Sequence, residues 1–205
     1  YRNRAIKVGD FAHSNSPAMA AGASYTQTAA VALPQGIRQS WFAHVYVDLG
    51  GQLTGGSFER QAYEIPSSNY AKQTVPVTYR EPDLSISGLV APAAALSGQQ
   101  LSVEWTVENI GTRATRQTTW SDSIFLSRDP SLDGGDVRLA DVGRSGALAA
   151  GGSYSGQATV TLPEGIEGDY YLLVAADGVD LVPEFQDEGN NLAVRPLTIS
   201  RLEPP

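Results

Sequence analysis

The sequence predicts an all-β protein made of immunoglobulin-like β-sandwiches in tandem, and three observations carry that expectation. Apolar and polar residues alternate with period two, clusters of Gly, Pro, Asn and Asp separate the alternating runs, and the chain repeats itself. Residues 21–37 read AGASYTQTAAVALPQGI and residues 150–166 read AGGSYSGQATVTLPEGI, identical at ten of seventeen positions with a constant offset of 129. No window of about eleven residues carries a helical apolar stripe.

The longer copy yields about seven strands. Leu84 to Val90 comes first. In the second, Leu101, Val103, Trp105 and Val107 share one face while Ser102, Glu104, Thr106 and Glu108 share the other, the pattern of a half-buried strand. Thr118 to Ser127 and Val137 to Val142 follow. Ala158, Val160 and Leu162 alternate with Thr159 and Thr161, and Tyr170, Leu172 and Val174 form the next stripe; Leu192 to Ser200 closes the set. Ser97-Gly98, Asn109-Ile110-Gly111, Asp133-Gly134-Gly135, Pro163-Glu164-Gly165 and Gly189-Asn190-Asn191 stand between them as turns. Seven short strands in about 120 residues suit two packed antiparallel sheets.

Walking the match outward defines the organisation. Trp41, Phe42, Val45 and Asp48 fall on Tyr170, Tyr171, Val174 and Asp177 at the offset of 129, whereas Asn69, Tyr70 and Ala71 fall on Asn191, Leu192 and Ala193 at an offset of 122. Seven extra residues therefore lie between Asp48 and Asn69. Upstream, Arg4 and Val8-Gly9 fall on Arg138 and Val142-Gly143 at an offset of 134. Residues 1–80 thus read as the latter part of a repeat without its front, residues 81–201 as a complete repeat, and residues 202–205 as the start of another linker. A half-sandwich cannot bury its inner face, so its missing strands are expected from elsewhere in a longer chain or from another molecule. An opening Tyr1 in place of methionine fits a fragment of a longer polypeptide, with any signal or anchor outside it.

Composition narrows the function classes. The chain has 205 residues, 41% of them hydrophobic, and no cysteine, which excludes disulfides, zinc thiolates and thiol catalysis. No stretch approaches the roughly eighteen apolar residues of a membrane-spanning helix. Charge is divided between the copies: residues 1–80 hold seven Lys or Arg against four acids, and residues 81–205 hold seven Arg against eighteen acids. Such an acidic repeat repels phosphate backbones, so nucleic acid is not an expected partner.

Five segments then agree with one family. PDLSISGLVAP, LSVEWTVENIGT, WSDSIFLSRDPSLDGGD, SYSGQATVTLPEGIEGDYYLLVAADG and VPEFQDEGNNLAV, in that order over residues 82–200, resemble a CARDB domain, the cell-adhesion-related domain of bacteria. The resemblance implies a fibronectin-III- or immunoglobulin-like sandwich, found in tandem in large exported proteins. Residues 1–80 resemble it less closely: Ala62, Pro66 and Ser68 stand where the complete copy has Glu184, Glu188 and Asn190.

The candidate sites are few. Asp129, Ser131 and Asp133 with Gly134 reproduce the first half of a calcium loop, and Asp136 or Asp141 could add a carboxylate; Ala140 at the twelfth position departs from that loop, and a metal-free Asx turn is the alternative. Asp177, Asp180, Glu184, Asp187 and Glu188 form a second acidic group, in which Asn190, Asn191 and the matching Asn69 are expected to close a turn. Trp120 is the aromatic to test as an exposed ligand platform, since Trp105 and Trp41 sit on core stripes. His13 and His44 are the only histidines, and no nucleophile elbow, zinc helix or phosphate loop accompanies them. The expected function is a non-catalytic structural or adhesion repeat of an extracellular bacterial surface or filament protein, partnered by neighbouring repeats, other copies or a surface glycan. The alternative is a calcium- or glycan-binding accessory module of a secreted hydrolase.

Overall fold

The computed structural model describes residues 5–14, 18–47, 70–185 and 187–201. Among these no helix occurs, and contacts divide the chain into two compact units, Tyr1–Tyr79 and Arg80–Pro205.

The second unit is a two-sheet sandwich. One sheet has the order β3 (Leu84–Val90), β5 (Gln100–Asn109), β8 (Ser153–Thr161); the other runs β4 (Ala94–Leu96), β10 (Leu192–Ser200), β9 (Gly168–Ala175), β6 (Thr119–Ser127), β7 (Val137–Ser145). The alternation read along the second strand is its burial pattern: Leu101, Val103, Trp105 and Val107 are buried and their neighbours point outward. They meet Ile124 and Leu126 of β6, Leu172 and Val174 of β9, and Leu197 and Ile199 of β10 in one apolar cluster. Each such side chain contributes about 1.5–3 kcal/mol of transfer free energy.

One feature departs from expectation. An eighth strand, β4, pairs in parallel with β10 through Thr198 to Ser200. Three residues beside a proline carry no readable period, and only the neighbouring strand makes them extended. In addition, Glu81 and Pro82 are buried, Thr112 N donates to Glu81 O at 3.0 Å, and the Glu81 carboxylate pairs with Arg116. The Glu81-Pro82 pair that opens the complete repeat is thus the first anchored turn of the sandwich.

Gly156 lies directly across from Trp105 in the β5–β8 ladder, and a Cβ there would overlap the indole. The ring is also tied by its Nε1, so it cannot swing away. Gly156→Ala is expected to lower the stability of this unit by about 2–3 kcal/mol through overpacking, read from the denaturant midpoint; an unchanged midpoint would show that the indole has room to move.

The first unit is a single described hairpin of β1 (Gln39–Tyr46) and β2 (Tyr70–Val77), with residues 5–14 and 18–38 forming no strand. Its register runs from Gln39↔Val77 to Tyr46↔Tyr70. Shifted by 129 in the first strand and 122 in the second, these become Gly168↔Ile199 to Ala175↔Leu192, which are the partners of β9 and β10. Positive φ recurs at the same offset, at Gly22 and Gly151 (79° and 71°), Gly36 and Gly165 (69° and 73°), and Gln39 and Gly168 (72° and 104°).

Candidate functional site

Three places gather the chemically distinctive side chains of the second unit. The first is inside the sandwich. On β6, Trp120, Asp122, Ile124 and Leu126 share the core face, so alternation drives a carboxylate into the middle of an apolar stripe. Asp122 is 1% exposed. Its oxygens accept Trp105 Nε1–H at 2.7 Å, the Tyr154 hydroxyl at 2.8 and 2.9 Å, and the Asp177 amide at 3.2 Å. Trp105 and Tyr154 belong to β5 and β8, so this carboxylate clamps one sheet to the other. Burial pushes its pKa above the ordinary carboxylate range, opposed by those hydrogen bonds and by the charge of Arg144. Burial and the facing Asp122 charge raise the Tyr154 phenol in turn.

Trp120 belongs to this clamp and is not an exposed platform. It is 3% exposed, donates its Nε1–H to the Tyr154 hydroxyl at 3.2 Å, and is covered by the Arg144 guanidinium, 4.4 Å from its ring centre. The same guanidinium lies 4.4 Å from the Tyr154 ring. The ligand-platform expectation for Trp120 is corrected: the period-two stripe it heads faces inward, and a sugar has no open ring face to stack on.

The second place is the β6–β7 turn. Asp129 Oδ1 accepts the Ser131 amide at 2.8 Å, Asp133 Oδ1 accepts the Gly135 amide at 2.7 Å, and Asp136 Oδ2 accepts the Asp133 amide at 2.8 Å. These are successive Asx-type turns in which carboxylates serve the local backbone. Among the described residues no three His, Cys, Asp or Glu side chains are grouped so as to hold a metal. As arranged, the oxygens of Asp129, Asp133 and Asp136 serve the Ser131, Gly135 and Asp133 amides of the turn. Asp141 is directed elsewhere, accepting from Ser123 Oγ at 2.8 Å and pairing with Arg138 at 2.6 Å.

The third place is the end where the chain enters the sandwich. Glu184 is fully buried, its Oε2 accepting the Leu84 amide at 2.9 Å. In either orientation of its amide, Asn191 donates to the same carboxyl, and Asn190 Nδ2 donates to Asp83 Oδ1 at 2.8 Å. The two asparagines thus tie the β9–β10 turn to the start of β3, about a hundred residues away. Glu188 Oε1 accepts the Glu184 amide at 2.7 Å. Burial, with the nearby Glu188 and Asp83 charges, pushes the Glu184 pKa up to about 8. Asn69, the matching position of the first unit, lies outside the described residues.

Composition conceals Asp122 and Glu184 because an acid on a strand or turn normally faces water. The readable signal for Asp122 was its i, i+2 spacing from Trp120 and Ile124; for Glu184 no local signal existed. Of the histidines, His13 stacks on Tyr25 at 3.7 Å, and His44 Nδ1 lies 2.6 Å from the Tyr70 hydroxyl in the first hairpin. The acids, tryptophans and tyrosine of the second unit form a structural clamp and an end tie.

Comparison with known proteins agrees with this architecture. Residues 81–195, more than half of the chain, match the CARDB family model. Among solved structures, the chain is similar to the CARDB domain of a Pyrococcus furiosus protein in complex with di-metal ions, at 17% identity and a TM-score of 0.45, covering 62% of this chain and 95% of that one. It is similar to the solution NMR structure of that domain at 18% identity and a TM-score of 0.44, covering 58% and 96%. A β-glucosidase from Listeria innocua in complex with glucose is similar at 18% identity and a TM-score of 0.37, covering 62% of this chain and 17% of that one. No curated protein sequence matches. Through its two-sheet unit at 81–195, the chain belongs to the CARDB family, a family of non-catalytic, adhesion-related modules.

Proposed function

We propose that the chain is part of a tandem array of CARDB sandwiches acting as an in-line spacer in an exported surface or filament protein. One observation carries this reading: the chain enters and leaves the second unit at opposite ends. Leu84 and Asp83 are tied to Glu184 and Asn190, just before β10 begins, whereas Ser200 at the end of β10 accepts the Ser97 amide beside β4. β10 itself spans the interval, nine residues at about 3.3 Å each. Units joined through such ends extend a chain and do not fold it back. The matching registers of β1–β2 and β9–β10 support the tandem arrangement. Seven bases against four acids in residues 1–80, and seven against eighteen in residues 81–205, favour attraction between neighbouring repeats or copies. An adhesion-related family is compatible with a surface location. The buried Trp120 and the self-satisfied aspartate turns give the calcium- or glycan-binding alternative no observation of its own.

A spacer must hold under tension. Because β4 and β10 are parallel, pulling on the two ends loads their ladder along the strands, where several bonds resist together. Single-molecule stretching of the 205-residue chain is expected to show one discrete unfolding step for the second unit. Its contour gain should be about 40 nm, from about 3.5 Å per extended residue. Smooth lengthening at low force, with no step, would sink the spacer reading.

A further inference from the structure

We infer that β8 is a self-pairing edge: two copies of this chain join through an antiparallel β8–β8 seam about a twofold axis, making one six-stranded sheet from two three-stranded ones. Among its described residues the second unit has four sheet edges, and three of them are blunted. β4 is only three residues long. β3 is broken by a register shift between Ile86 and Gly88. β7 has a shift where it faces Ile124 and Phe125, and it carries Arg138, Asp141 and Arg144. β8 has none of these devices: its nine residues pair with β5 in unbroken register, from Thr161↔Gln100 to Ser153↔Glu108, with no proline and no charge. Short strands, bulges and charges are the means by which edges avoid pairing, and an edge without them is a template for another strand.

The free groups of that edge alternate. At the two ends of the ladder, Asn109 N donates to Gly152 O at 2.9 Å and Leu162 N donates to Gln99 O at 3.0 Å. In an antiparallel pair the hydrogen-bonded residues recur at every second position, so the even-numbered residues of β8 bond to β5, and Ser153, Ser155, Gln157, Thr159 and Thr161 turn their amides and carbonyls away from it. All five are exposed. Charge selects the occupant. Residues 81–205 hold eighteen acids against seven Arg, so two copies repel over most of their surface, yet residues 145–163 hold no charged side chain. A basic or acidic peptide finds no complement on this edge, whereas a second copy meets an equally neutral one. The register that uses the whole strand places Gln157 opposite its own copy, Ser155 opposite Thr159, and Ser153 opposite Thr161. Glu104 and Glu108 lie one strand back, on β5. In this register Glu108 is level with Gln100 of the other copy, and Glu104 is three strand spacings, about 14 Å, from its own copy. That exceeds the screening length of about 8 Å at physiological salt. The seam joins chains side by side and does not depend on their being spacers.

The test is sedimentation equilibrium of the 205-residue chain from about 1 μM to about 500 μM, a range that reveals affinities down to the weak end of specific association. A reversible dimer is expected. Amide hydrogen exchange at the two ends of that range then locates the seam: Ser155, Gln157 and Thr159 should slow by about tenfold on concentration, while Gly156 and Ala158, already bonded to β5, should change little. Ser155→Lys combined with Thr159→Lys sets like charges across the seam and should give a monomer with the wild-type denaturant midpoint. Ser155→Glu combined with Thr159→Glu should do the same, and mixing the two variants should restore a dimer. Thr159→Pro removes one seam amide and no bond to β5, so it should weaken the dimer without any change of charge. A chain that stays monomeric throughout, a dimer whose protection does not alternate along β8, or a dimer kept by all of these variants overturns the inference.

Discussion

Asp122→Ala is expected to remove about 3–5 kcal/mol from the stability of the complete sandwich, a large share of what a domain of this size possesses. The cost does not come from lost packing volume. It arises because the Trp105 Nε1–H, the Tyr154 hydroxyl and the Asp177 amide would all keep their positions in a dry core with their shared acceptor gone. An unsatisfied buried donor costs about 1–3 kcal/mol, and three cannot all turn to water. The Arg144 guanidinium over Trp120 and Tyr154 would also lose its facing carboxylate. Denaturant unfolding of the second unit measures the loss directly. Tyr154→Phe removes one of the three donors, so the double variant should recover about 1 kcal/mol or more relative to the sum of the two single changes. Strict additivity within about 0.3 kcal/mol would show that the groups act independently and that Asp122 is not a clamp.

The same unit is expected to lose stability as pH rises from about 4.5 toward about 8. Glu184 titrates near 4.5 in an unfolded chain and at about 8 when folded, because burial, then the neighbouring Glu188 and Asp83 charges, disfavour its anion. Its partners, the Leu84 amide and the Asn191 side chain, offset only part of this. Between those two pH values the folded state binds a proton that the unfolded state has released. Stability from this group is therefore complete below about 4.5 and gone once pH passes about 8. Glu188 beside it is exposed. Water on that side holds the swing to about 1–2 kcal/mol, or about 4–8 °C in melting temperature. Melting the chain at pH 5 and at pH 9 checks the sign, and Glu184→Gln, which cannot ionise, should remove most of the difference. A variant that keeps the wild-type slope would assign the titration to another group; Asp122 and Asp177, both raised by burial, are the next to examine.

Much of the second unit was legible because strand alternation and core burial are the same fact seen twice. Leu101, Val103, Trp105 and Val107 could be placed on the inner face from spacing alone, and the turns announced themselves through Gly, Asn and Pro. β4 was not legible, since three alanine-rich residues become a strand only when β10 lies beside them. The site residues divide in the same way. The aspartates at 129, 133 and 136 mark a tight turn in any reading, but whether their oxygens converge on a cation or on backbone amides depends on the path of the turn. Trp120 was ambiguous for a different reason: an aromatic at the edge of a stripe is buried or exposed according to what the opposite sheet supplies, here Tyr154.

By itself the sequence determined the strand-rich class, the repeat with its three offsets, the acidic character of the complete copy and the family resemblance. All of these are local or periodic properties that need no knowledge of what lies across the core. The tertiary structure alone decided that Asp122 and Glu184 are buried, that Asn190 and Asn191 hold the start of β3, and that the chain leaves the sandwich opposite to where it enters. Those facts depend on contacts between residues 17 to more than 100 positions apart. A charged side chain has no way to signal in its own segment that the fold will enclose it.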